Sequence, residues 1–453
     1  MKSASAKHSE QPESRDTLPD ARALGKPSLA RQIGTATLAL AIINTIVGSG
    51  IFGLPAAAAA LMGPAAVMGY LGCSILVGLV ALCFAECGSR LPETGGTYAW
   101  SRAAFGPAVG ASVGYLMAFA NCLGSNAAVG ALLLASLRLA LPQWPGLPVV
   151  LILLWYAFIA ITNIRGVAAG ARVSAIAVVV KLVPLLILVA VGLTAISSAN
   201  LAWTAPPSAS SLGQAMVLLF FAFMGAEGPL SACGEVRNAS RTIPRALALG
   251  VLGTGTLYCM VQIVAQGVLG DRLAQATDAP LAEAAGVIFG PVGRTFLLWA
   301  AVLSTAGYLT VDILSGPRML FALARDGLLP QFLSRVHPSF RTPWIAIALY
   351  APLAATLALT GTFRQLAVFA GAGTLTIYLI SALGVLRLRR LQVGQRENPF
   401  VVPGGPVIPL IAALIIVSLL TTLTTRELLA TGGLTAAGII VGAFRARSVK
   451  SAS

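Results

Sequence analysis

Three ionisable residues, Lys181, Glu227 and Asp312, stand deep inside apolar runs of this sequence, and two clusters of helix-breaking residues lie near them. Gly48-Ser49-Gly50, followed by Pro55, interrupts an apolar run over 34–61. Gly225, Gly228 and Pro229 interrupt another over 211–234, with Glu227 between them. An interrupted helix bares N–H groups at the start of one half and carbonyls at the end of the other, so it can bind anions and cations through its backbone. A charge at the same depth costs from about 2.5 kcal/mol upward in a membrane, so it is found with a partner, with water or in neutral form. The chemistry on offer is therefore ion binding and proton exchange. Covalent catalysis is not suggested: the only histidines, His8 and His337, lie outside the apolar runs, and neither a nucleotide-binding loop nor a Ser/His/Asp arrangement stands out.

The elements that position these residues are membrane spans. Of 453 residues, 57% are hydrophobic and 10% charged, and mean hydropathy is +0.86. Soluble domains carry about 25% charge, so the composition is that of an all-α integral membrane protein. A span needs about 20 apolar residues. Such runs predict twelve transmembrane helices: 34–61, 64–89, 105–137, 147–164, 173–196, 211–234, 245–269, 292–317, 343–361, 365–386, 406–425 and 431–445. The net charge of +15 comes mostly from Lys and Arg in the segments on one side of this topology. That is the positive-inside bias, with both termini cytoplasmic, and it points to a lipid bilayer rather than nucleic acid. Residues 1–33 read as a disordered cytoplasmic tail and 447–453 as a short C-terminal one, flanking a transporter domain over 34–446. The six cysteines fall in or beside spans without histidine company and read as inert thiols, with no metal and no cofactor expected. Glu86 and Glu235 lie at cytoplasmic span ends near Arg90 and Arg237, where interfacial contacts are expected.

Breaks in the first and sixth spans fit a five-plus-five inverted repeat, 34–196 and 211–391, with accessory helices over 406–445. A close helix–helix contact would explain either Gly/Pro cluster alone. The pair, five spans apart, fits a binding site. The outer half of the first helix begins near Gly48–Gly50 with N–H groups suited to a carboxylate; the outer half of the sixth ends near Phe221–Met224 with carbonyls suited to an ammonium. Together they form a receptor for an α-amino acid.

Four stretches, "GSGIFGLP" (48–55), "AECGSRLPETGGTYAWSRAAFG" (85–106), "FMGAEGPLSACGEVRNASRTIPRA" (223–246) and "GPRMLFALARDGLLP" (316–330), resemble the amino acid–polyamine–organocation superfamily of permeases. The resemblance runs from about Gly34 to Arg390 and implies the sodium-coupled leucine transporter fold with alternating access. It further implies that Gly48, Ser49 and Gly50 form the carboxylate-binding turn and that Ile46, Phe221 and Met224 supply carbonyls for the substrate amine, with Phe221 capping the substrate from outside. Asn126 is similar to a pocket-lining Asn of the arginine/agmatine antiporter branch, and Glu227 to a proton-sensing Glu there. Where that branch has a Trp in helix eight, this chain has Asp312, so side-chain specificity does not carry over. Lys181 resembles the fifth-helix Lys of proton-coupled permeases, whose amine stands where sodium binds in the sodium-coupled relatives.

Read from the residues alone, alternatives stay open at each charge. Lys181 fits a proton-exchanging amine or a lysine paired permanently with a carboxylate. Glu227 fits proton or amine binding, or a bond to nearby backbone. Asp312 either pairs with Lys181 or faces the pocket and favours cationic cargo. The expected function is proton-coupled amino acid uptake across a bacterial inner membrane; exchange of a cationic amino acid for its decarboxylated amine or a polyamine is the alternative. A channel would show a filter motif and a nutrient sensor a signalling domain, and neither is evident. Monomer and homodimer both fit the sequence.

Overall fold

The computed structural model describes residues 34–48, 50–91, 96–166, 171–203, 206–226, 236–394 and 399–452. The expected tail over 1–33, together with Ser49, Glu227, Cys233 and Glu235, lies outside the described residues. Among the described residues the ordered elements are all helical. They are α1 (Thr35–Ile46), α2 (Gly50–Met62), α3 (Ala66–Arg90), α4 (Gly96–Phe105), α5 (Pro107–Tyr115), α6 (Ser125–Ala140), α7 (Leu147–Ile164), α8 (Ala171–Gly192), α9 (Ala209–Phe223), α10 (Ala239–Leu269), α11 (Pro280–Arg325), α12 (Trp344–Thr360), α13 (Phe363–Arg390), α14 (Val407–Leu420) and α15 (Thr425–Ala452). Seven of the described helical stretches are long and apolar enough to cross a membrane, and five shorter apolar helices accompany them. Leu154, Phe158, Leu414, Leu429 and Phe444 are each more than half exposed. Large apolar side chains facing outward on such helices suit a lipid solvent, and the chain is a multi-pass membrane protein.

Local signals explain several helix starts. Ser208 caps α9 by accepting from the Ser211 N–H at 3.0 Å, and Thr362 with Gln365 forms a capping box at the start of α13. Pro107 and Pro280 occupy the first turns of α5 and α11, where a missing N–H costs nothing. The structure departs from the apolar runs at three places. The third run is preceded by a separate helix, α4, set off by Gly106 at φ 88°. Between α5 and α6 the helix widens into a π-helical stretch, Leu116–Gly124. The run expected over 292–317 lies in a helix that starts at Pro280 and turns sharply at Gly290 (φ 74°). In addition, α15 continues through Ala452, so the expected C-terminal tail is helical up to that residue.

The helices pack in two groups. α1, α2, α3, α9 and α10 pack on one another, and α6, α7, α11 and α12 form a second set. α8 bridges from α10 to α11, and α13 touches α3, α6 and α9. The first set holds both backbone breaks.

One ionic cluster fastens α3 to the far end of the chain. Glu86 is fully buried and accepts from Arg90 Nε at 2.9 Å, from Arg389 at 2.7 and 2.5 Å, and from the Val402 N–H at 2.8 Å. Arg90 also donates to the Val393 carbonyl at 3.0 Å. This goes beyond the interfacial contact expected of Glu86: its carboxylate ties α3, α13 and the connection to α14 together. Breaking a buried ion pair from one side costs about 3–5 kcal/mol, because the partner charges remain. Glu86→Ala is therefore expected to lower the melting temperature of the detergent-purified protein clearly, and an unchanged melting curve would show that the arginines find other acceptors.

Candidate substrate site

The two breaks face each other. α1 stops at Ile46, Val47 leaves the helical region (φ −69°, ψ 78°), and the Gly48 N–H donates to the Ile46 carbonyl at 2.6 Å. α9 stops at Phe223, Met224 is extended (φ −67°, ψ 154°), and Gly225 has φ 107°. A Cβ on Gly225 would lie 2.8 Å from the Thr45 carbonyl oxygen. Glycine is required there twice over, for its backbone conformation and for the approach of the other broken helix. Tyr258 of α10 completes the junction. Its fully buried hydroxyl stands 2.9 Å from the Ile46 carbonyl and 3.0 Å from the Ala222 carbonyl, so the two broken ends share its single proton.

Beside this junction lies a cavity of about 380 Å³, a size suited to one small molecule. Ile46, Gly48, Gly50, Phe221 and Met224 line it, as do Lys181 and Asp312. Ser49 and Glu227 lie outside the described residues. Asn126 does not line the cavity; it is fully buried one layer behind it. The sequence reading put Asn126 on the wall, but its amide is occupied in holding Asp312 from behind.

The Phe221 ring packs on Gly50, where an added Cβ would come within 3.2 Å of it, and meets Phe363 edge-on at 5.8 Å. Among the described residues, a Cβ on Gly48 would meet the Ile46 carbonyl alone, at 3.7 Å. The close approach demanded of the first break is therefore made at Gly50. The Ile46 carbonyl already accepts from Gly48 and Tyr258, and the Phe221 carbonyl accepts from the Met224 N–H at 3.4 Å. The Ile46 carbonyl is thus engaged within the turn, at the cavity wall.

The charged residues are held separately. Lys181 of α8 donates from Nζ to the Asn44 carbonyl, in the last turn of α1. Asp312 of α11 accepts at Oδ2 from Asn126 at 2.7 Å and from the Tyr350 hydroxyl at 2.9 Å. Tyr156 donates in turn to Asn126 Oδ1 at 2.8 Å. Ion pairs among the described residues join Glu86 to Arg90 and Arg389, Glu283 to Arg294, and Asp326 to Arg325. Lys181 and Asp312 are not among them, so the pairing of these two left open by the sequence is not formed here.

Sequence reasoning missed Tyr258, Tyr156, Tyr350 and Asn121. Tyrosines inside apolar helices carry a signal, since a buried hydroxyl needs a partner, but nothing in the sequence says which partner. Asn121 lines the cavity from the π-helical stretch and donates to Thr374 Oγ1 at 3.0 Å.

Residues 33–444 match the family model described as amino acid permease. The chain belongs to the amino acid permease family. Its relatives include the branched-chain amino acid permease BcaP of Bacillus subtilis, 27% identical over 86% of this chain and 87% of the relative. The serine/threonine exchanger SteT of Bacillus subtilis is 29% identical over 85% and 89% of the two chains. The methylthioribose transporter of the same organism is 27% identical over 85% and 87%. These relatives are transporters, and this permease is a transporter and not an enzyme.

The junction gives a direct test. Tyr258→Phe keeps the ring and removes the donor shared by two carbonyls. Leaving a buried acceptor unsatisfied costs about 1–3 kcal/mol. The variant is expected to unfold at a lower temperature in detergent; full stability would show that other groups satisfy the broken ends.

Proposed function

We propose that this permease takes up amino acids across a bacterial inner membrane by proton-coupled alternating access. The observation that carries the reading is that both backbone breaks meet at the wall of one cavity. In this reading twelve spans place both termini in the cytoplasm. The two packing sets, with the second and seventh spans (α3, α10) in one and the third, fourth, eighth and ninth (α6, α7, α11, α12) in the other, support a five-plus-five inverted repeat.

The first turn of α2 carries N–H groups and the positive end of the helix dipole, suited to the α-carboxylate. Gly48, Ser49 and Gly50 are the proposed carboxylate-binding residues. The carbonyls of Phe221 and Met224 receive the α-ammonium, and the Phe221 ring closes over the bound amino acid. Alternating access then follows from movement of the set that holds the breaks against the set that holds Asp312.

Lys181 serves as the coupling group. Its amine, bonded to the Asn44 carbonyl, reports on the last turn of α1 directly before the break. When charged it braces that turn; when neutral it is a weaker donor and frees the turn to move. Glu227 is the proposed second proton site. A cation bound about 4 Å from a charged amine would be repelled by about 4 kcal/mol at an effective dielectric of 20, which disfavours sodium coupling. Exchange is the second reading, favoured by the likeness to a serine/threonine exchanger.

Proteoliposomes with imposed gradients test the reading. Uptake is expected to rise with an inward proton gradient and to ignore replacement of sodium by choline. Lys181→Ala is expected to lose gradient-driven accumulation more severely than substrate binding. Strict sodium dependence of the unaltered protein would refute proton coupling, and uptake that requires amino acid preloaded inside would establish exchange.

A further inference from the structure

Asp312 is built differently from a carboxylate that merely completes a fold. Both of its hydrogen bonds, from Asn126 at 2.7 Å and Tyr350 at 2.9 Å, converge on Oδ2. No described residue donates to Oδ1, and the residue lines the cavity. The support behind it is stiff. Asn126, Tyr350 and Tyr156 are each buried to within 2% exposure, and they come from three helices, α6, α12 and α7. The Asn126 amide is fixed from both ends, since Tyr156 donates to its oxygen while its nitrogen donates to the carboxylate. A carboxylate held by one oxygen and turned toward a cavity lacks a counter-charge. Lys181, the other charged residue on the described wall, donates to the Asn44 carbonyl and forms no ion pair with Asp312. An ionised group at this depth is stable when a cation meets it, and the cavity is the open approach.

The two walls also differ in what they can hold. The breaks offer groups for an α-carboxylate and an α-ammonium, whereas Asp312 stands on α11, in the other packing set. Val129, Val311 and Met319 add apolar lining, suited to a methylene stem. We propose that Asp312 recognises a cationic side chain, so that the preferred cargo is an amino acid carrying an ammonium or guanidinium group beyond its α-carbon. This rests on reading the cavity as an amino acid site.

Isosteric pairs test it on the purified full-length protein by ligand-dependent thermal shift, because a ligand that binds the native state raises its melting temperature. Lysine is compared with norleucine and arginine with citrulline, each pair differing in charge at similar size. Lysine and arginine are expected to bind at least tenfold more tightly than their neutral counterparts. In Asp312→Asn, where the amide oxygen still accepts from Tyr350, that ratio is expected to fall to one or below. Equal binding within each pair in the unaltered protein would overturn the proposal even if the variant failed to fold, as would a ratio kept by the variant. Stabilisation by leucine or serine but by neither cationic amino acid would overturn it while leaving the cavity an amino acid site. No stabilisation by any amino acid would overturn both.

Discussion

A backbone carbonyl or N–H inside a bilayer has no water to turn to, so a helix can be interrupted there only where something else satisfies the bared groups. The structure meets this constraint by setting two interruptions against each other. Gly225 lets the second break approach the Thr45 carbonyl, and the Tyr258 hydroxyl bonds Ile46 and Ala222 at once. Lys181 reaches the carbonyl of Asn44 from α8. Each break supports the other, and the cavity exists because neither helix runs straight through the space they share.

The buried charges follow the same logic to different degrees. Glu86 is satisfied on all sides by two arginines and a backbone N–H, and it fixes the fold. Lys181 has one described partner, a carbonyl at the edge of a break. Among the described residues, Asp312 is bonded at one oxygen, on the cavity wall. The gradation from complete to partial satisfaction runs from scaffold to site. A fully bonded charge has nothing left to offer a ligand, whereas a half-bonded one at a cavity does.

The membrane class and both breaks were legible in the sequence because they are written locally. Apolar runs report spans, and Gly48-Ser49-Gly50 and Gly225 report where a span cannot continue. Phe221, Met224, Gly50 and Lys181 reach the cavity for the same reason: each lies beside a break or midway along a run. What the sequence hid is what depends on meeting across distance. Tyr258 is one tyrosine in an apolar helix until Ile46 and Ala222 arrive beside it from two other segments. Asn126 and Asp312 are 186 residues apart, and only their bond shows that the asparagine stands behind the aspartate instead of beside it. The π-helical stretch Leu116–Gly124 lies upstream of Asn126 and brings Asn121 to the wall, which no apolar periodicity announces. The early start of α11 at Pro280 was hidden by the turn at Gly290, which reads as an end although the chain goes on in helix.

The completeness of the Glu86 cluster has a consequence for how the molecule is made. Arg90 follows the glutamate by four residues and is present from the start, but Arg389 is 303 residues downstream and Val402 is 316. At a synthesis rate of about 5–20 residues per second, roughly 15–60 s pass between the emergence of the acid and that of its second arginine. Throughout that interval α3 sits in the nascent molecule with its carboxylate half matched, and the connection between α13 and α14 closes the account only near the end of translation. A chain terminated ahead of Arg389 therefore leaves Glu86 with Arg90 as its one arginine of the two.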